Sequence, residues 1–209
     1  ALTRTTPPGV VAAFDTGRTP EPRPFIVMQY VDGVTLRSQI TAEGMPFWRA
    51  AKIFTQLGRA LSAAHQAGIL HRDLKPENVM LETLTDDDEH VKIIDFGIAK
   101  IKNSIVSRST VEAQSVGTLY YMSPEQLCAQ PLTPASDVYS LGVIAYEMLT
   151  GRRPINPDSV FQILELQRSG VRVKPADLRP SLPRGAEPAI LKALSFEPPD
   201  RYQSARDFA

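Results

Sequence analysis

One cysteine, Cys128, serves all 209 residues. No disulfide can close within the chain, so the fold rests on packing, and the usage fits a reducing compartment. Cys128 itself reads equally as a free surface thiol or as a small buried apolar side chain. Neither sign of charge dominates, with 23 basic residues against 23 acidic ones. That balance gives no electrostatic footing for nucleic acid or an anionic membrane surface. No run is apolar for long enough to span a bilayer. The greasiest, DVYSLGVIAYEMLTG at 137–151, carries Asp137 and Glu147 and reads as a buried helix. The opening ALTRTTPPGVVAAF lacks the cationic-then-apolar pattern of a secretory leader. The expected location is therefore cytoplasmic, with room for a membrane anchor outside this stretch. Residues 1–24 also lack lysine. Their glycines, Gly9 and Gly17, make no Gly-x-Gly pattern, and their one glutamate, Glu21, sits among prolines.

An apolar content of 43% supplies one domain core. Residues 10–17 and 24–31 are short β-type runs joined by the turn-rich RTPEPRP, hence an antiparallel pair. A short helix is expected near Thr35. Ala50, Ile53, Leu57, Leu61 and Ala64 recur at helical spacing, with Pro46 in the first turn and Gly68 at the end. NVMLE (78–82) and HVKIID (90–95) read as two further strands. The acidic DDDE between them (86–89) reads as a solvated turn rather than a metal site. Residues 97–123 are rich in Ser, Thr and Gly without periodicity, which suggests a long functional loop. Helices are expected at 136–150, 157–169, 186–196 and from 203. Strands first and helices after indicate an α+β fold.

The chemistry concentrates in GILHRDLKPENVMLE, residues 68–82. Asp73, Lys75 and Asn78 lie in this loop, and Asp95 follows in IIDFG. Asp95 and the Asn78 amide oxygen are hard ligands suited to Mg²⁺. Asp73 can orient a hydroxyl and accept its proton. Lys75 can neutralise charge on a migrating phosphoryl group. Taken singly, Asp95 could cap a turn, Asn78 could be a turn residue, and His71 reads as a core histidine. No structural reason requires the set at this spacing. Together the residues specify metal-assisted phosphoryl transfer to an alcohol.

HRDLKPEN, DFG and SPE (123–125) resemble the signature segments of protein kinases. GTLYYMSPE (117–125), SDVYSLGVIAYEMLTGRRP (136–154) and RYQSARDF (201–208) resemble successive kinase segments in the same order, so the likeness covers essentially the whole chain. FGIAK and DRYQSA are most similar to bacterial Ser/Thr kinases of the eukaryotic-like type. The resemblance implies a two-lobed kinase-like fold, mainly its helical lobe. Residues 1–31 would be a remnant of the small lobe with the start of the hinge. Residues 32–209 would be the large lobe, with catalytic loop 69–78 and activation segment 95–125.

The implied ligands are ATP and Mg²⁺. By resemblance Asp73 is the catalytic base, Lys75 contacts the γ-phosphate, and Asn78 and Asp95 hold the metal. Met80 would lie under the adenine, Met28 at the back of the pocket, and backbone groups of Gln29 and Val31 along the adenine edge. His71 and Phe96 would stack in an internal spine. Asp137 would accept catalytic-loop N–H groups, and Glu125 with Arg201 would form a buried ion pair. Lys75 before Pro76, and Thr118 beside the catalytic pair, imply Ser/Thr hydroxyls of a protein substrate. Arg72 beside SRSTVEAQS (107–115) implies switching by phosphorylation, with Thr110 favoured and then Ser109.

The resemblance also calls for a Gly-rich loop, a strand lysine and a helix glutamate. None is found in residues 1–24. TPPGVV resembles the segment just after that helix, and both ends read as cut. A longer parent is expected, and the piece alone is expected to have little or no kinase activity and to expose apolar surface. Dimerisation of the parent, for autophosphorylation, belongs to the same expectation. Two other readings remain: a scaffold that keeps the fold without the chemistry, and a small-molecule phosphotransferase of the aminoglycoside type. The complete set Asp73, Lys75, Asn78 and Asp95 weighs against the first. The SPE and GTLYY segments weigh against the second.

Overall fold

A computed structural model describes residues 7–21, 23–83, 89–96, 116–157, 159 and 161–209. The expected hairpin forms from β1 (Ala13–Arg18) and β2 (Pro24–Met28), antiparallel, with an irregularity between Ala13 and Asp15. Both its faces are largely open, and Phe14, Phe25 and Val27 stand exposed. A second antiparallel sheet runs in the order β3 (Gly33–Thr35), β4 (Val79–Thr83), β5 (Glu89–Ile93). Residues 9–11 lie along the free edge of β5: the Val11 N–H donates to the Ile93 carbonyl and the Ile93 N–H to the Gly9 carbonyl.

Helices form the rest. They are α1 (Leu36–Gln39), α2 (Phe47–Gln66), α3 (Val116–Leu119), α4 (Pro124–Leu127), α5 (Pro134–Thr150), α6 (Gln162–Ser169), α7 (Pro175–Leu178), α8 (Ala186–Ala193) and α9 (Ala205–Phe208). The Thr35 hydroxyl caps α1 by accepting the Ser38 N–H. The predicted stripe of α2, from Ala50 to Ala64, is buried. Nearly all of α5 is buried, so this helix is the axis of the core. Among the described residues no helix is long and apolar enough to cross a membrane.

A Thr133 capping box starts α5, and Gly151 ends it in the left-handed region at φ 70°. A Cβ on Gly151 would sit 2.2 Å from the Ala42 carbonyl oxygen. Gly151→Ala therefore combines left-handed strain with a backbone clash. It should lower stability by more than about 2 kcal/mol in urea titrations.

Several boundaries differ from expectation. Helix α6 starts at Gln162 rather than near 157. Helix α8 stops at Ala193 rather than 196, and the carbonyls of Ser195 and Phe196 accept from the Arg201 guanidinium. Helix α9 waits for its Ser204 cap rather than starting at 203. Residues 116–119 are a helical turn within the stretch expected to be loop. Glu89 is no part of a solvated turn: it starts β5 and is paired by Arg49 from α2, Nε to Oε2 at 2.8 Å. Residues 86–88 lie outside the described residues. Cys128 is exposed and free.

Candidate active site

Gly68, at φ 75°, turns the chain out of α2 into the 69–78 loop. His71 is fully buried. Its Nε2 lies 2.9 Å from the Ile94 carbonyl, which can only accept, so the proton sits on Nε2. Nδ1 then accepts the Asp73 N–H at 3.3 Å. The ring stands edge-on to Phe96 at 4.6 Å. Histidine thus ties the loop to the end of β5, as expected of a core residue.

Asp137, from the first turn of α5, reaches under the loop. Its carboxylate accepts the N–H of His71 (2.8 Å) and of Arg72 (2.9 Å). His65 Nε2, at the end of α2, adds a third bond at 2.8 Å. These contacts hold Arg72 in the left-handed region at φ 68°, a conformation that costs a non-glycine residue about 1–2 kcal/mol. Gln126 from α4 fixes the same turn by donating to the Arg72 carbonyl. Among the described residues the Arg72 guanidinium has no ion-pair partner. Ser109 and Thr110, the expected phosphorylation positions, lie outside the described residues.

Burial dominates His71 and pushes its imidazole below the ordinary 6.5, against the pull of Asp137. Burial alone would raise Asp137, but hydrogen bonds from His65 and the Arg72 N–H help to hold it below the ordinary 3.8. Both groups bind protons less readily folded than unfolded. Stability is therefore full above the unfolded-state values and falls with acid, His71 acting first, below 6.5, and Asp137 below 3.8. Urea midpoints should begin to decline near pH 6.5. A midpoint flat down to about pH 5 would contradict the buried neutral histidine.

The polar set converges above this support. Lys75 Nζ bridges Asp73 Oδ2 (3.3 Å) and the Thr118 hydroxyl (2.9 Å). A 3₁₀ turn, Pro76–Asn78, brings Asn78 back, and its Nδ2 donates to the Asp73 carbonyl at 2.7 Å. With Nδ2 engaged, Oδ1 is the amide atom left for a cation. The Ile94 N–H donates to the Asn78 carbonyl at 3.0 Å, so Asp95 directly follows the backbone partner of Asn78. Asp95 is itself left-handed, at φ 65°. An amide oxygen and a carboxylate are the hard donor types that Mg²⁺ takes.

Met28 ends β2, 36% exposed, and the Gln29 N–H donates to the Ala12 carbonyl. Val31 is buried in the link to β3. Met80 lies in β4 between Thr35 and Lys92, alternating with the core residues Val79 and Leu81.

Glu125 and Arg201 pair in a buried bidentate bridge, 2.7 and 3.0 Å. Two contacts were not legible in the sequence. One is the bond from His65 to Asp137. The other is a network in which Glu147 accepts from Arg37 (2.7 Å) and from the Tyr121 hydroxyl (2.6 Å). It pins the 118–122 segment to α5, helped by Ser140 donating to the Tyr121 carbonyl. Burial, with Glu147 beside it, pushes the Tyr121 hydroxyl well above its ordinary value. Buried Glu147 was the only available signal, and it needed a partner that sequence spacing does not reveal.

Residues 2–203 match the family model for the protein kinase domain. The serine/threonine-protein kinase PknB of Mycobacterium tuberculosis is 40% identical over 204 residues, covering 96% of this chain and 32% of that protein. Serine/threonine-protein kinase Pkn1 of Myxococcus xanthus is 38% identical over 201 residues, 95% of this chain and 28% of that protein. A probable PknB of Corynebacterium glutamicum is 37% identical over 209 residues, again 96% and 32%. The chain thus spans about a third of the length of these relatives.

Proposed function

The chain belongs to the protein kinase family, and from that premise we propose that it transfers the γ-phosphate of ATP to Ser and Thr hydroxyls of proteins. One observation carries the reading: a single ammonium, Lys75, spans the Asp73 carboxylate and the Thr118 hydroxyl. Asp73 accepts the proton of the attacking hydroxyl. Lys75 offsets charge on the transferred group. Thr118 holds Lys75 and Asp73 in register with the segment that receives the peptide. Asn78 and Asp95 would hold Mg²⁺, which when bound draws charge off the phosphate oxygens. Met28, Val31 and Met80 would supply the apolar bed for adenine. Residues 1–31 are read as the last part of a small lobe. Arg72, unpaired among the described residues, is read as the receiver of a phosphate from the Ser109–Thr110 stretch.

The 209 residues hold no Gly-x-Gly pattern, and β1 and β2 hold no lysine. The proposal therefore includes low turnover for this chain by itself, through a weak phosphate clamp. Binding is the suitable test. Calorimetry should show ATP binding strengthened by Mg²⁺. Asp95→Asn should weaken the Mg²⁺-dependent part at least about ten-fold, since loss of a direct ligand costs no less than loss of a supporting one. Mg²⁺ dependence unchanged by Asp95→Asn would defeat the metal assignment. A scaffold role predicts no Mg²⁺-dependent binding at all.

A further inference from the structure

Three arginines that catalysis does not use converge on one cavity. It has a volume of about 240 Å³, and Arg152, Arg153, Arg172, Asn156, Ile155 and Leu166 are among the residues lining it. Among the described residues no Asp or Glu lines it. The convergence is built by the fold. Just past the left-handed Gly151, the Thr150 hydroxyl accepts the Arg152 N–H at 3.2 Å and fixes the turn that delivers Arg152 and Arg153. Arg153 lies over the Tyr120 ring, its guanidinium carbon 3.7 Å from the ring centroid. Arg172 arrives after α6 in a segment pinned where the Tyr146 hydroxyl donates to the Val173 carbonyl at 2.8 Å.

Arg23, Arg37, Arg49 and Arg201 have carboxylate partners, and Arg179 donates to the Met45 and Leu149 carbonyls. Arg152, Arg153 and Arg172 have no carboxylate partner among the described residues. Asp177 acts on Tyr146 from nearby, and its carboxylate, which caps α7 by accepting the Lys174 N–H, is not among the residues lining the cavity. Three like charges around one concavity repel each other unless an anion enters.

The position of the cavity says which anion. Ile155 and Leu166 also pack in the cluster that holds Leu119, Tyr120 and Met122. The arginines therefore adjoin the segment that begins at Thr118, whose hydroxyl contacts Lys75. The geometry points to a docking pocket for an anionic side chain of the protein substrate, phosphoserine or a carboxylate, flanking the residue to be phosphorylated. Paired guanidinium edges suit phosphate best, because they can donate in parallel to its oxygens. The pocket rests on the kinase reading for the identity of the peptide, though not for its anion chemistry.

Fluorescence anisotropy on this chain tests it with three labelled peptides. They share one serine acceptor and differ at a flanking position, which carries phosphoserine, aspartate or alanine and is moved stepwise along both flanks. At the best position phosphoserine should bind about ten-fold tighter than alanine, with aspartate between, within the range of one or two charge-assisted hydrogen bonds. Raising salt should shrink the advantage. Arg152→Gln/Arg172→Gln, both exposed positions, should abolish it, while Arg184→Gln, an exposed arginine outside the cavity, should not. Equal binding of all three peptides at every position, or an advantage that survives the double substitution, overturns the pocket. Failure of the full-length protein to phosphorylate any peptide would defeat the kinase reading instead and leave the anisotropy result standing.

Discussion

Asp73→Asn lowers kcat for peptide phosphorylation by the full-length protein by about 10²–10⁴-fold, the usual contribution of a positioned general base. The substitution keeps the size of the side chain and removes its basicity. Its neighbours lose one contact to the charge but keep a second anchor each. Asn78 is held by the Asp73 backbone carbonyl, and Lys75 keeps the Thr118 hydroxyl. KM for ATP should therefore change little, and the circular dichroism spectrum not at all. A kcat within a few-fold of the wild type would remove Asp73 from the chemistry.

Arg201→Met lowers the unfolding free energy by about 3–5 kcal/mol, which for a chain of this size is a fall in Tm of about 6–20 °C. The guanidinium is 2% exposed and meets both Glu125 oxygens together with the carbonyls of Ala135, Ser195 and Phe196. Its removal leaves a buried carboxylate and three carbonyls without their donor. Glu125→Leu/Arg201→Met should recover part of the loss, because no buried charge remains unpaired. Recovery stays incomplete, since the carbonyls still lack a donor. Thermal unfolding of the two single variants and the double variant separates these contributions. Additive losses in the double variant would mean that the pair does not act as a unit.

How much the sequence disclosed depended on range. The loop from His71 to Asn78 was legible because its chemistry is local. Asp73, Lys75 and Asn78 are set by a turn that Pro76 starts, and the tie from Ile94 to Asn78 extends a short strand pairing. The α2 stripe was legible because helical periodicity needs no partner to be read. Glu89 was misread because its fate is decided by Arg49, forty residues away on another element. His65 was passed over for the same reason, as its partner Asp137 is seventy-two residues on. The three-arginine cavity joins α5, the start of the following link and the exit of α6, a closeness that only the folded chain creates.

The central claim is that Asp73, Lys75, Asn78 and Asp95 form one site for Mg²⁺-dependent phosphoryl transfer to Ser or Thr. Phosphoamino-acid analysis after incubation of the full-length protein with γ-labelled ATP and a protein substrate tests it most directly. Label in phosphoserine or phosphothreonine, dependent on Mg²⁺ and lost in both Asp73→Asn and Asp95→Asn, is the predicted result. Label in phosphotyrosine alone, or transfer that persists in either variant, would contradict it.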